Sequence, residues 1–209
     1  MALRKSFILS LLFVSGCKHP SAPLQPAAPP VANWHSLITD DDRIRLRDWR
    51  QAFARALAAA RKAGNGLSID REGVLLEPDA ALDGDGPPPG NYQCRVIKLG
   101  AQGSMIANYT VFPNYHCEIA AEGTVMSFAK RDGIQRPVGL IFDDSASRQI
   151  FLGTMMLGDE TLALQYGRDG TRDMAGVVER IGDKRWRIVL PYPHFESMLD
   201  VVELITDNR

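Results

Sequence analysis

The chain has 209 residues, 45% of them hydrophobic, and a formal net charge of −1 at pH 7. This hydrophobic content is sufficient for a globular core, and the length suits one domain with additional segments rather than two full domains. The near-neutral charge argues against a polybasic surface, so we expect no nucleic-acid partner.

Residues 1–16 have the features of a bacterial lipoprotein signal peptide. Arg4 and Lys5 precede an apolar run, from Phe7 to Val14, that is too short to span a bilayer as a stable helix. The sequence VSGC that ends at Cys17 resembles the lipobox, in which the chain is cleaved before a cysteine that carries acyl chains such as palmitate. An ordinary signal peptide, cleaved further along the chain, is the alternative.

Residues 17–32 are predicted to form a lipidated tether. Several acyl chains on Cys17 would anchor the protein stably to a membrane. By resemblance to lipoprotein sorting, Lys18 after the cysteine favours the outer membrane, with the protein facing the periplasm. Prolines at positions 20, 23, 26, 29 and 30 favour an extended polyproline II conformation. A ligand for a proline-recognising module is the alternative interpretation of this segment.

An amphipathic helical segment is predicted over residues 33–66. Leu46, Trp49, Phe53 and Leu57 recur at the three- and four-residue spacing of one helix face, and Gly64-Asn65-Gly66 is a typical helix end. This face could bind a partner or a membrane, but packing on the protein's own domain is the commoner role for such a face.

Residues 67–90 show little periodicity and end in LDGDGPPPG, so we predict an irregular, turn-rich segment. Asp83 and Asp85 in this segment match only the beginning of a calcium-binding loop. The later ligands and the glutamate that such a loop requires are missing, which favours a solvated turn.

Residues 91–209 contain short β-type runs separated by turn sequences such as KRDG, LGDE and IGDK. The turns recur about every ten to twelve residues, which is typical of an antiparallel sandwich or barrel. We therefore predict a mainly β fold of the α+β class. It consists of an N-terminal helix and a small antiparallel barrel, lipocalin-like or similar, closed by about eight to ten strands.

Cys94 and Cys117 lie in two similar runs, YQCRV and YHCEI. With the two-residue period of a strand, both cysteines point to the apolar face. In an oxidising compartment such cysteines are expected to form a disulfide, which would stabilise the fold by about 3 kcal/mol. A pair of buried thiols is the alternative.

The same strands place polar residues on the opposite face. If Cys94 lies directly across from Cys117, then Arg95 lies across from His116, and Glu118 shares their face. A histidine beside a carboxylate can act as a general base, although a solvent-facing charged ladder gives the same pattern.

His194 and Glu196 form a second candidate pair in the segment PYPHFES. A connection that closes the barrel before the last strand is the simpler interpretation of that segment. The chain contains no HExxH, GxSxG, Walker or dinucleotide-binding motif. We therefore predict no catalytic residue, no metal ligand and no cofactor.

Gln135 and Arg136 precede Pro137 and an apolar run, an arrangement that places a cation near the mouth of the predicted barrel. Such a cation could hold an anionic ligand. A turn with an exposed arginine is the alternative.

Several longer runs resemble a family of bacterial envelope proteins, domain of unknown function family 4893. They are GNYQCRVIKLG (90–100), QRPVGLIF (135–142), FLGTMMLGDETLALQYGRDGTRDMAG (151–176) and VERIGDKRWRIVLPYPHFESMLDVVELI (178–205). The resemblance covers most of the chain after the tether. It implies secretion and often a lipid anchor, and it implies no activity.

Three functions are compatible with these observations. A non-enzymatic binding module for an apolar or anionic small ligand ranks first, since a barrel of about eight strands can enclose one small molecule. A protein-interaction or inhibitor barrel that binds another envelope protein is the alternative. A hydrolase that uses His116 and Glu118, or His194 and Glu196, ranks third. The sequence does not indicate an oligomeric state.

Overall fold

The first part of the domain is helical. The computed structural model describes residues 33–103 and 107–207, so the predicted signal peptide, Cys17 and the tether lie outside the described residues. After a 3-10 turn come helices α1 (Asp40–Arg47), α2 (Trp49–Ala60) and α3 (Gly66–Glu72), and then a second 3-10 turn (Gly73–Leu76). Thr39 begins α1 as its N-cap, because its side chain accepts a hydrogen bond from the Asp42 N–H.

The helical region extends further than predicted. The chain turns at Gly64, where φ is +90°, but α3 begins only two residues later. Much of the stretch over residues 67–76, predicted to be irregular, is therefore helical. Helix α3 buries only Ile69, so it has no apolar periodicity that could have predicted it. Among the described residues, no helix is long and apolar enough to cross a membrane.

Nine antiparallel strands follow in the described residues. They are β1 (Gly90–Ala101), β2 (Tyr109–Val111), β3 (Tyr115–Glu122), β4 (Val125–Lys130), β5 (Gln135–Ser145), β6 (Arg148–Leu157), β7 (Asp173–Gly182), β8 (Arg185–Pro191) and β9 (Ser197–Thr206). Strands β3 to β9 pair in chain order, and β1 pairs with both β3 and β9. Eight strands therefore close into a barrel, which confirms the predicted fold class.

Strand β2 is the extra strand, and it continues the line of β3. Val111 of β2 pairs with Ile97, whereas Tyr115 of β3 pairs with Cys94, so both strands run along β1. Pro113 lies between them and has no N–H for the ladder, which explains the interruption.

The barrel has an apolar inside and an apolar outer face. Inside, side chains from alternate positions of the strands form one core cluster. On the outside, α2 packs Ala52, Phe53, Ala56 and Ala60 against the sheet in a second cluster. The small alanine side chains let the helix backbone approach the strands closely. The amphipathic face of this helix is therefore buried on its own domain.

The predicted disulfide between Cys94 and Cys117 is confirmed, with the two Cα atoms 5.9 Å apart. The predicted register is wrong. Cys94 lies across from Tyr115, and Cys117 lies across from Tyr92, so the bonded cysteines are diagonal neighbours. Period two determines which face a residue occupies, but it does not determine which residue lies across from it.

The register also changes the neighbours of the polar residues. Gln93, rather than Arg95, lies across from His116. Arg95 lies beyond the paired part of β3, and its partner is Glu203 on β9.

Candidate functional site

A cavity of about 360 Å³ lies at one end of the barrel. Its wall is formed by the ends of β1, β4, β6 and β8 and by the beginnings of β5, β7 and β9. Its apolar lining includes Val96, Met155, Met174, Leu190 and Val202. These residues point inward because they occupy alternate positions on their strands.

Aromatic side chains fill the rest of the barrel interior. Tyr92 and Trp186 make an edge contact with ring centroids 6.1 Å apart, and Phe128 and Phe151 make another at 5.7 Å. The buried disulfide belongs to the same cluster. The interior is therefore packed with side chains in one part and contains the cavity at the other end.

The cavity contains a buried ion pair. Lys98 Nζ lies 2.9 Å from Asp200 Oδ2, and each side chain exposes 4% of its surface. Ser197 Oγ donates a hydrogen bond to the other carboxylate oxygen of Asp200. Burial raises the pKa of Asp200 above its ordinary value, although Lys98 and Ser197 act in the opposite direction.

Lys98 has more hydrogen-bond donors than acceptors among the described residues around it. An ammonium group carries three N–H donors. Within the described residues, Lys98 makes one side-chain hydrogen bond, to Asp200. Glu196 is its second charged neighbour, but the distance of 3.6 Å from Glu196 Oε2 to Lys98 Nζ is too long for a hydrogen bond. Because Lys98 lines the cavity, its remaining donors are available to an anionic group there.

Lys130 strengthens the rim of the cavity. Its ammonium group donates to the carbonyl oxygens of Asp132 at 2.5 Å and Gln135 at 3.0 Å, and lies 3.4 Å from the centroid of the Tyr115 ring. These contacts hold the turn between β4 and β5. Burial lowers the pKa of Lys130 to about 8, and Arg136 acts in the same direction.

The segment over residues 192–196 forms another part of the rim. Tyr192 and Glu196 adopt positive φ angles of 46° and 70°, which are strained for residues other than glycine. Between them, Phe195 packs against the inner core cluster. Gln102 holds this segment, because its side chain donates to the carbonyl oxygen of Pro193 at 3.3 Å.

The structure places the two predicted ligand-binding residues of β5 differently. Gln135 lines the cavity. Arg136 donates from Nη2 to the carbonyl oxygens of Gly158 and Glu160, at 3.0 Å and 2.7 Å. Its guanidinium therefore holds the connection between β6 and β7.

Arg95 forms part of the outer surface of the barrel rather than the cavity. It forms ion pairs with Glu72, at the end of α3, and with Glu203 on β9. These contacts link the helical region to the sheet.

His116 and Glu118 have separate partners. His116 Nδ1 lies 3.1 Å from Asp132 Oδ2, and Glu118 forms an ion pair with Arg131 at 2.5 Å. The histidine is 79% exposed. These contacts are those of a solvent-facing charged ladder.

His194 and Glu196 are also divided between different neighbours. Arg45 Nη2 of α1 is a hydrogen-bond partner of His194 Nε2, whereas Glu196 faces Lys98. The histidine therefore contacts the helical region, and the carboxylate belongs to the cavity.

Sequence reasoning missed the ion pair in the cavity, although a signal was present for each residue. Lys98 lies four residues after Cys94 on β1, so it occupies the inward face of the same strand. Asp200 shares the inward face of β9 with Val202 and Leu204. A charged residue on an otherwise apolar strand face indicates a buried polar site.

Asp83 and Asp85 act through their backbone. The carbonyl oxygen of Asp83 accepts a hydrogen bond from Arg180, and that of Asp85 accepts one from Trp186. Within residues 33–103 and 107–207, no group of three or more His, Cys, Asp or Glu side chains is placed to hold a metal ion.

Comparison with known protein families matches residues 34–204 to a domain of unknown function, DUF4893. Searches of the curated proteins and of the solved structures gave no significant match. The family match begins at the first 3-10 turn and ends within β9, so it covers the helical region and the barrel. The chain therefore belongs to the DUF4893 family.

Proposed function

We propose that this protein is a non-enzymatic binding module that holds a small amphipathic ligand in the barrel cavity, with an anionic group of the ligand at Lys98. The observation that carries this proposal is the buried ammonium group of Lys98, which lines the cavity and, within the described part of the chain, uses one of its three donors. A buried donor without a partner is costly, and a ligand anion would provide the missing acceptor.

The size and lining of the cavity support the same function. Its volume of about 360 Å³ lies at the lower end of the range for small-molecule sites. Its walls are mostly apolar, with the polar groups gathered near Lys98 and at the rim. Such a site suits a molecule with a hydrocarbon part and one charged end.

A hydrolase is less well supported by the geometry. The two histidine–carboxylate pairs considered for catalysis are each divided between other partners. A general base needs hydrogen-bonding reach to its partner and to the reacting group. The contacts of His116 and His194 are those of residues that stabilise the surface and the rim.

We also propose that Cys17 carries acyl chains and holds the protein at the periplasmic face of the outer membrane. The lipobox-like sequence before Cys17 supports this proposal. Cys17→Ala should release the protein into the soluble fraction of the cell envelope, with His35→Ala as a control that remains in the membrane fraction. A Cys17→Ala protein that stays in the membrane fraction would contradict the anchor.

The ligand site can be tested by calorimetric titration of the full chain with decanoate. Two variants isolate Lys98: Asp200→Asn, which keeps the lysine, and Lys98→Met combined with Asp200→Asn, which leaves no buried charge unpaired. We expect the single variant to bind decanoate at least as tightly as the unmodified chain. The double variant should bind decanoate at least about tenfold more weakly, because it lacks one charge-assisted hydrogen bond.

Decanol is the matched neutral probe for this experiment. It has the same number of carbon atoms and no charge, so both variants should bind it equally. Equal binding of decanoate by the two variants would show that Lys98 does not hold the anion, and the proposal would fail. Native mass spectrometry of protein extracted mildly from its own envelope is an independent test, since the proposal predicts a co-purifying small molecule.

A further inference from the structure

Glu196 occupies a strained position at the beginning of β9. Its φ is +70°, and across it the Ser197 N–H donates to the carbonyl oxygen of Phe195 at 2.8 Å. A γ-turn with a positive φ at its central residue is rare and strained. The Gln102 N–H donates to the Glu196 carbonyl oxygen at 2.7 Å and helps to hold this turn. The turn directs the Glu196 side chain towards Lys98.

The two carboxylates beside Lys98 are held very differently. Asp200 exposes 4% of its side chain and accepts hydrogen bonds from Lys98 and Ser197. Glu196 exposes 41% of its side chain and lies 3.6 Å from the ammonium group. A partly exposed carboxylate loses little when it turns into water, because its ion pair is weak and its hydration is regained. Of the two carboxylates, Glu196 is therefore the one that a ligand can displace from Lys98.

The balance of charge favours an exchange. Lys98 already has two carboxylates within 4 Å. A ligand anion that simply added to this group would place a third negative charge beside one ammonium group. If the carboxylate of the ligand replaces that of Glu196, the local charge is unchanged. A dianionic head group would add one negative charge even after the exchange.

We propose that Glu196 is a displaceable internal carboxylate. It forms an ion pair with Lys98 when no ligand is bound, and it makes the cavity selective for monocarboxylates. This inference rests on the proposed function. When a monocarboxylate binds, its oxygens accept hydrogen bonds from the remaining N–H groups of Lys98, and the Glu196 side chain turns towards solvent. Glu196 is thus a specificity-determining residue of the same site.

The test compares three ten-carbon probes that differ in their head group. The full chain and its Glu196→Gln variant are titrated with decanoate, decyl phosphate and decanol. Glu122→Gln, at the exposed end of β3, is the matched control. We expect Glu196→Gln to bind decanoate about three- to fivefold more tightly, since a competing ion pair of this exposure is weak. The affinity for decyl phosphate should increase more than that for decanoate, and the affinity for decanol should not change.

The outcomes separate this inference from the function on which it rests. The inference is overturned if Glu196→Gln binds decanoate with the same affinity as the unmodified chain. It is also overturned if the variant's affinity for decanol increases as much as its affinity for decanoate, because Glu196 then does not compete for Lys98. The proposed function would survive that result, because it depends on the comparison of the two Asp200→Asn proteins. If neither of those proteins binds decanoate, both the function and this inference fail.

Discussion

Arg187 and Glu179 form an ion pair with an N–O distance of 2.7 Å, in which the side chains expose 0% and 2% of their surface. The guanidinium also donates to the carbonyl oxygens of Leu75 at 2.8 Å and Glu77 at 2.7 Å. Those carbonyls belong to the segment that ends the helical region. Arg187 therefore joins the helices to the outer face of the barrel.

Arg187→Met should lower the free energy of unfolding by about 3–5 kcal/mol, because it leaves the Glu179 carboxylate buried without its partner. Urea titration monitored by tryptophan fluorescence measures this change. Arg131→Met is the control, since Arg131 and Glu118 form an exposed pair whose loss should cost less than about 1 kcal/mol. If the two variants lose similar free energies of unfolding, burial does not make the Arg187–Glu179 pair more important for stability than the exposed pair.

The disulfide should contribute about 3 kcal/mol to stability, because it closes a loop between cysteines 23 residues apart in the unfolded chain. Replacing both Cys94 and Cys117 with serine should lower the free energy of unfolding by that amount, which urea titration measures as a lower midpoint. Both proteins should also carry Cys17→Ala, so that no third thiol can exchange with the bond. If the bond forms in solution, thiol reagents will find no reactive cysteine in the denatured, unreduced Cys17→Ala protein.

Gly139→Ala should destabilise the barrel by about 2 kcal/mol or more, because a Cβ at this position would lie 2.3 Å from the carbonyl oxygen of Leu152. Gly139 lies across from Gly153, and the Phe151 ring covers both positions. Gly170→Ala is the control, since a Cβ there would meet no atom of the described residues within 4 Å. We expect the control to stay within about 0.5 kcal/mol of the unmodified chain in the same urea titration.

Much of the fold could be predicted from local patterns. The alternation in YQCRV and YHCEI correctly placed Cys94 and Cys117 on one apolar face, because the strand period is local. The register was not predictable in the same way. Arg95 pairs with Glu203, a residue more than a hundred positions further along the chain, because the last strand closes the barrel on the first. No local pattern contains that closure.

The same limit applies to the candidate site. Lys98 and Asp200 are 102 residues apart in sequence, and only the pairing of β1 with β9 brings them together. Each residue alone interrupts an apolar strand face, which is a readable signal. Gln135 lines the cavity, and its position before an apolar run is the kind of local pattern that the sequence does show. Its neighbour Arg136 makes backbone contacts that only the folded loops provide.

Lys130 should make the stability of the protein depend on pH in the alkaline range. Burial lowers its pKa in the folded protein from 10.5 to about 8. Between these two values, the unfolded chain binds more protons at this position than the folded protein does. The contribution of Lys130 to the free energy of unfolding therefore rises as the pH increases from about 8 to about 10.5, and it stays constant below that window.

Comparison with Lys130→Met isolates this contribution from that of other groups that titrate at alkaline pH. We expect the free energy of unfolding of the Lys130 protein, minus that of the variant, to increase between pH 7.5 and pH 10. Urea titrations at both pH values, on chains carrying Cys17→Ala, measure the difference. Lys62→Met, at an exposed lysine, is the control, and an increase of the same size in both subtractions would mean that the burial of Lys130 is not its cause. A flat difference for Lys130 would mean that its contacts with Tyr115 and the two carbonyl oxygens compensate fully for its burial.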